Sequence, residues 1–237
     1  MNKKCFYAIG LGPGDPELLT YKAIKVLNSV DLVIVPESSK NGRSIALDII
    51  KKYIPTSKIE TFYFPMINDP KVLDKKYFEL SKKIKDNLYS NKHIAYVTIG
   101  DLSIYSTFIY LWNKLKLTKD QVEFIPGIPS FISAASIAYM PIVMKNENFC
   151  VIEMPNNEEK LLTFTKLFQT IIIMKIYKKA HILSRFLEKY IDILDSAVLV
   201  QKATLKGECV VDLLKDNILN YDKTYLSTVI MRTKHYE

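Results

Sequence analysis

Seven glycines serve a chain of 237 residues, where average usage would give roughly 17, and five of the seven directly follow apolar runs of strand character. Three share one loop, Gly10-Leu-Gly12-Pro-Gly14-Asp15, behind the run Cys5–Ile9. Gly100-Asp101 follows Ile94–Ile99, and Pro126-Gly127 follows Val122–Ile125. In open α/β sheets, ligands bind outside the carboxyl ends of strands, where glycine lets the backbone approach them closely. The pattern predicts a parallel sheet whose ligand site is assembled from three loops.

The rest of the chain reads as an α/β protein of two α/β domains. Asp15-Pro16-Glu17 combines an N-cap, a first-turn proline and a first-turn acid, and predicts a helix through about Asn28. Strands are expected at Leu32–Val35, Ile59–Tyr63, His93–Ile99 and Val122–Ile125, and helices at Ser44–Tyr53, Pro70–Ser90, Ile104–Leu115 and Ser130–Tyr139. Strand and helix alternate five times, which implies a mainly parallel five-stranded N-terminal sheet covered by helices. Residues 1–140 are taken as the first domain, 141–147 as a linker and 148–237 as a second, mixed α/β domain. In the latter, strands are expected at Phe149–Met154 and Thr170–Met174, and helices at Glu158–Phe168 and Lys178–Tyr190. Ala197–Val200, Cys209–Leu213 and Tyr225–Met231 follow as consecutive strands.

Composition narrows the classes of function. With 49% apolar and 24% charged residues, the chain can fold around a core. No apolar run approaches the ~20 residues of a membrane span, and Gly10 to Asp15 cuts the first run too short for a signal peptide, so a cytoplasmic protein is expected. Cys5, Cys150 and Cys209 are dispersed, as are His93, His181 and His235, and no metal site or disulfide framework is expected. The formal charge of +8 rests on lysine, with arginine only at 43, 185 and 232. Base reading and bidentate phosphate grips favour arginine, which argues against a nucleic-acid partner. The excess suits a polyanionic small molecule, although lysine-rich usage across a proteome gives the same balance.

The first loop admits several readings. A dinucleotide fold wants G-x-G-x-x-G, and Asp15 stands where its third glycine belongs. A Rossmann-like methyltransferase uses G-x-G-x-G, with Glu37 as a candidate ribose acid, yet it leaves the other two loops unexplained. Plain tight turns are the third reading.

Gly10-Leu-Gly-Pro-Gly-Asp-Pro-Glu-Leu-Leu-Thr20 resembles the opening signature of the tetrapyrrole methylase family. Gly100-Asp-Leu-Ser-Ile-Tyr-Ser-Thr107, Pro126-Gly-Ile-Pro-Ser130, Met174-Lys175 and Val200-Gln-Lys-Ala-Thr204 continue the resemblance in order along the chain. Within the family it looks most like the branch that methylates carbon 20 of precorrin-2 or cobalt-factor II in cobalamin synthesis. Tyr-Ser-Thr107 with Phe-Ile-Tyr-Leu111, Pro126 to Phe131, and Phe64-Pro-Met66 suggest that branch. Leu102 departs from the family by standing where proline is usual, which removes a φ constraint. The nearest rivals keep the fold and change the substrate, to another ring position or to the modified histidine of diphthine synthase. More distant ones are an RNA-modifying protein and a tetrapyrrole carrier without catalysis.

The resemblance implies S-adenosylmethionine as cofactor, a cleft between the domains that holds it, a substrate trough in the first domain, and a homodimer. It assigns the cofactor to Pro13, Ile99, Gly100, Asp101, Ile104, Pro129, Ser130, Met174 and Ala203. Gly12, Arg43 and Tyr105 are assigned to the substrate side. No Ser-His-Asp, Cys-His or paired-carboxylate device is visible, and an activated methyl donor needs none. Asp15 and Tyr105 are the two candidates for a proton-transfer residue, and neither is expected to be essential.

Overall fold

In the computed structural model, which describes residues 6–38, 44–65, 67, 69–90, 92–221 and 226–234, the chain forms two compact units that divide between Pro129 and Ser130. The first contains strands β1 (Phe6–Gly10), β2 (Leu32–Glu37), β3 (Ile59–Tyr63), β4 (Ile94–Thr98) and β5 (Val122–Ile125). All neighbours are parallel, in the order β3-β2-β4-β1-β5. Helices α1 (Tyr21–Ser29), α2 (Ile45–Ile50), α3 (Pro70–Tyr89) and α4 (Phe108–Leu115) supply the cover.

Strand alternation sorts the apolar residues into two cores. Ile9, Val33, Val35, Ala95 and Val97 face α1 and α2, where they bury Ala23, Leu27, Ile49 and Ile50. Phe6, Ala8, Ile34, Ile94 and Tyr96 face α3 and α4, against Tyr77, Leu80, Ile84, Phe108 and Leu111. A sheet buried on both faces explains why its strands read as continuous apolar runs rather than alternating ones.

The second unit holds α5 (Ser130–Ile137), β6 (Phe149–Glu153), α6 (Glu158–Leu167), β7 (Thr170–Met174) and α7 (Ala180–Tyr190). It is completed by β8 (Leu194–Gln201), β9 (Cys209–Asp212) and β10 (Ser227–Thr233). The sheet order is β6-β7-β10-β8-β9, with β6 and β7 parallel and every other pair antiparallel. The mixed second sheet agrees with expectation. Its core joins Ile171, Ile173, Leu199 and Val229 to Ile182, Leu183 and Phe186 of α7.

Three local expectations are corrected. The helix expected from Asp15 divides into a 3-10 turn at Pro16–Leu18, capped by Asp15, and α1, capped by the Thr20 hydroxyl. Leu19 and Thr20 lie between them in extended backbone, and that ends the first turn. The helix expected from Ile104 starts only at Phe108, because Tyr105 has a left-handed φ of 48°. The last strand is shifted, running Ser227–Thr233 instead of Tyr225–Met231. Within the second compact unit α5 packs on β10, and the segment 141–147 lies between α5 and β6. That segment is fastened to the second unit by the buried Arg232, whose guanidinium donates to Pro141 O, Ile142 O and Glu147 Oε1. Among the described residues, no helix is long and apolar enough to cross a membrane.

Candidate active site

The sheet order sets β4, β1 and β5 side by side, so the three glycine loops leave the same edge. Gly10 is level with Thr98, and Ile9 with Ile125. The loops then join. Leu11 N donates to Thr98 O at 2.8 Å, and Gly12 and Gly100 exchange two hydrogen bonds of 3.1 and 2.7 Å as an antiparallel bridge. At Gly10 a Cβ would stand 2.6 Å from Gly127 N and 2.7 Å from Gly100 O, and at Gly127 it would strike Gly100 O. Those two glycines are packing requirements. Gly12 and Gly100 are conformational ones, with φ of 75° and 74°. A Cβ on Gly100 would meet nothing within 4 Å, so this backbone turns a bare face to open space.

Asp101 follows directly and is buried. Its Oδ1 accepts from Ser103 N at 2.8 Å and from the Ser103 hydroxyl, and Oδ2 accepts from Gly127 N at 3.0 Å. Burial alone would raise its pKa. The hydrogen bonds from Ser103, Gly127 and the Leu102 N–H outweigh that and hold the carboxyl below the ordinary carboxylate range. The residue is therefore an ionised brace between two loops. Ser103 and Gly127 as its partners were not foreseen, although Asp-x-Ser is a recognisable turn signal. Leu102 also acquires a physical account, because its side chain is buried in the α3–α4 core and its N–H, which proline lacks, supports Asp101.

Around this brace, Pro13 and Gly12 are buried, and Ile99, Ile104 and Pro129 are half-buried. Tyr105 is 42% exposed in its left-handed conformation, a strained state for a bulky residue that often accompanies function. Phe64 after β3, Tyr77 of α3 and Tyr110 of α4 form a row of tilted rings with centroids 4.8 and 5.6 Å apart. Asp15 is committed to its turn, Oδ1 accepting from Glu17 N at 2.9 Å. Arg43 lies outside the described residues.

In the second unit, Ser130 opens α5 and Met174 ends β7. Met174 is half-buried, outside the core that takes Ile171 and Ile173. Ala203 is half-buried in the turn between β8 and β9, flanked by left-handed Lys202 and Thr204. Burial pushes the Cys150 thiol up to about 11, which leaves it protonated and no nucleophile at neutral pH.

Comparison with known proteins agrees with this arrangement. The profile of the Tetrapyrrole (Corrin/Porphyrin) Methylases matches residues 5–216. The chain is 40% identical, over 98% of both chains, to a probable cobalt-precorrin-2 C(20)-methyltransferase of Methanocaldococcus jannaschii. It is 28% identical to the cobalt-precorrin-2 C(20)-methyltransferase of Salmonella typhimurium, over 88% of this chain and 87% of that one. The crystal structure of a cobalt precorrin-4 methyltransferase shares the fold at a TM-score of 0.74 and 21% identity, covering 97% of this chain and 95% of that one. Glycine loops, sheet order and a whole-length match converge: this chain belongs to the tetrapyrrole methylases.

Proposed function

We propose that the protein transfers a methyl group from S-adenosylmethionine to carbon 20 of a precorrin-2-type macrocycle in cobalamin biosynthesis, with cobalt-factor II as substrate and precorrin-2 as the metal-free alternative. The end-to-end match to the Methanocaldococcus protein carries this reading. The residues present fit the cofactor. Gly100 offers bare backbone to open space, Ile99 and Ile104 give apolar flanks, and the ionised Asp101 suits a cationic ligand. Pro13 and Pro129 of the first unit, and Ser130, Met174 and Ala203 of the second, are the further cofactor residues of the proposal.

When bound, S-adenosylmethionine supplies a methyl already activated on a sulfonium. What remains for the protein is orientation, which can lower a barrier by roughly 7–11 kcal/mol when the reacting atoms are held at near-attack distance. Asp101 serves this by tying the loops after β4 and β5, so that Gly100 and Pro129 keep one spacing. Its carboxylate already accepts from Ser103 and Gly127, so it acts on the ligand through its charge and through the loops it fixes. Gly12, Tyr105 and Arg43 belong to the substrate side of the proposal.

The protein is proposed to work in the cytoplasm as a homodimer. Tyr139, Val143, Met144 and Phe149 are exposed along one stretch of the second unit and would be covered by a second copy. Incubation with S-adenosylmethionine and either cobalt-factor II or precorrin-2, followed by absorbance and mass, tests the assignment. A gain of one methyl at carbon 20 supports it, and methylation only at another ring position overturns it.

A further inference from the structure

Helix α3 carries an exposed line of basic and aromatic side chains. Lys71, Lys75, Phe78, Lys82 and Tyr89 are all exposed, Phe78 by 61% and Tyr89 by 78%. At ~3.6 residues per turn they fall within an arc of about 60°, along roughly 27 Å of helix, and no acidic residue of α3 shares that arc. Neighbouring lysines are engaged, Lys76 with Glu79, Lys83 with Glu60 and Lys114 with Asp74. Among the described residues, Lys71, Lys75 and Lys82 form no ion pair.

The line runs into a cavity. About 300 Å³ of space opens between the carboxyl ends of α3 and α4. Leu88, Leu115 and Leu117 give it an apolar floor, and the first two belong to the α3–α4 core. Lys85, Lys116 and Tyr89 line it as well, and Tyr89 is the last residue of the exposed line. Gln121, which directly precedes β5, places this cavity at the amino-end edge of the first sheet. The glycine loops leave the opposite edge, so the cavity has no part in the site built there.

We infer that α3 docks an acidic, extended segment of a partner protein, which sets one apolar side chain into the cavity. Carboxylates complement the line of lysines, and Phe78, between Lys75 and Lys82, covers the aliphatic part of such a segment. Eight or nine extended residues reach roughly 27 Å at ~3.3 Å each. An apolar floor with a few charged groups around it is the usual form of an anchor pocket. The acids bordering the arc select against broader polyanions. Asp74, Glu79 and Asp86 flank it on α3, within a Debye length of about 10 Å, and repel a nucleic-acid duplex or a charged bilayer spread over the helix. A single extended segment keeps to the arc.

The test uses the full chain and a fluorescein-labelled probe peptide of eight glutamates ending in leucine, with binding read by anisotropy at low salt. Lys75→Gln/Lys82→Gln should bind it about five- to tenfold more weakly. Lys145→Gln/Lys166→Gln removes the same charge from exposed positions of the second unit and should change affinity by less than about twofold. Serine in place of the peptide's leucine should weaken binding about tenfold. Equal losses in the two double variants would reduce the binding to the net charge of +8 and overturn the inference. Equal affinity for the leucine and serine peptides would leave the cavity without a role and overturn it too. Tighter binding of oligouridylate or of phosphatidylglycerol vesicles, lost in Lys75→Gln/Lys82→Gln, would assign the line to RNA or to a membrane surface instead. A parent that does not bind the leucine peptide at up to about 1 mM overturns the inference outright.

Discussion

The backbone N–H of Gly127 donates to Asp101 Oδ2 at 3.0 Å, so a carboxylate fastens the loop after β5 to the loop after β4. This bond spans 26 residues of sequence and joins two of the three glycine loops at the edge where the ligand is proposed to bind.

Asp101→Asn should therefore weaken S-adenosylhomocysteine by about 1–3 kcal/mol, since an amide cannot accept from donors on both sides as a carboxylate does. The variant should also change the acid limb of stability. Burial raises the Asp101 pKa, but hydrogen bonds from Ser103, Gly127 and Leu102 depress it further, so the folded value lies below the unfolded one. A depressed pKa contributes stability above the unfolded value of ~3.9 and loses it as pH falls through the folded value. Urea midpoints measured from pH 6 down to pH 3 should fall less steeply in Asp101→Asn than in the parent. Parallel curves would show that the carboxylate is not coupled to folding.

Two glycine variants should fail for different reasons. In Gly127→Ala the new methyl meets the Gly100 carbonyl, and overpacking of this kind costs about 1–3 kcal/mol, so melting should drop. Gly100→Ala has open space around its methyl but must keep a φ of 74°, at a cost of roughly 1–2 kcal/mol. That methyl occupies the bare face offered to the cofactor, so binding should be lost while most of the fold is kept. Calorimetry beside thermal melting separates the two. Equal affinity in parent and Gly100→Ala would remove Gly100 from the site.

How much of this was legible depends on the range of the interaction involved. The three loops could be read because a chain so poor in glycine spends five of seven at strand ends. Their convergence could not, since the order β3-β2-β4-β1-β5 is set by pairing between distant segments. Asp15-Pro16-Glu17 carries true helix-start chemistry, yet Thr20 offers a second cap five residues later and takes the longer helix. Ile104 to Leu115 has helical patterning throughout, and nothing local reveals that Tyr105 turns left-handed.

The segment 141–147 should behave as part of the second unit. Arg232 and Glu147 form an ion pair of 2.6 Å with side chains only 9% and 3% exposed, and Arg232 also donates to Thr170 Oγ1. Removing one partner of a buried pair strands the other charge and costs about 3–5 kcal/mol. Arg232→Met should accordingly lower the melting temperature and open 141–147 to limited proteolysis. A variant that melts with the parent and resists protease there would show that the pair does not hold the segment.

The reaction itself should depend on positioning more than on proton transfer. Asp15 is engaged in capping its turn, and asparagine caps as well as aspartate, so Asp15→Asn isolates the charge. Tyr105→Phe removes the hydroxyl and keeps the ring and the left-handed backbone. If orientation by the three loops supplies most of the acceleration, neither variant should lose more than about 10²-fold in single-turnover rate, the low end for a true general acid or base. Rates taken across pH, with cofactor and substrate saturating, make the measurement independent of binding. A 10⁴-fold loss in either variant would identify it as the group that removes the carbon-20 proton, and would move the mechanism from orientation to acid–base catalysis.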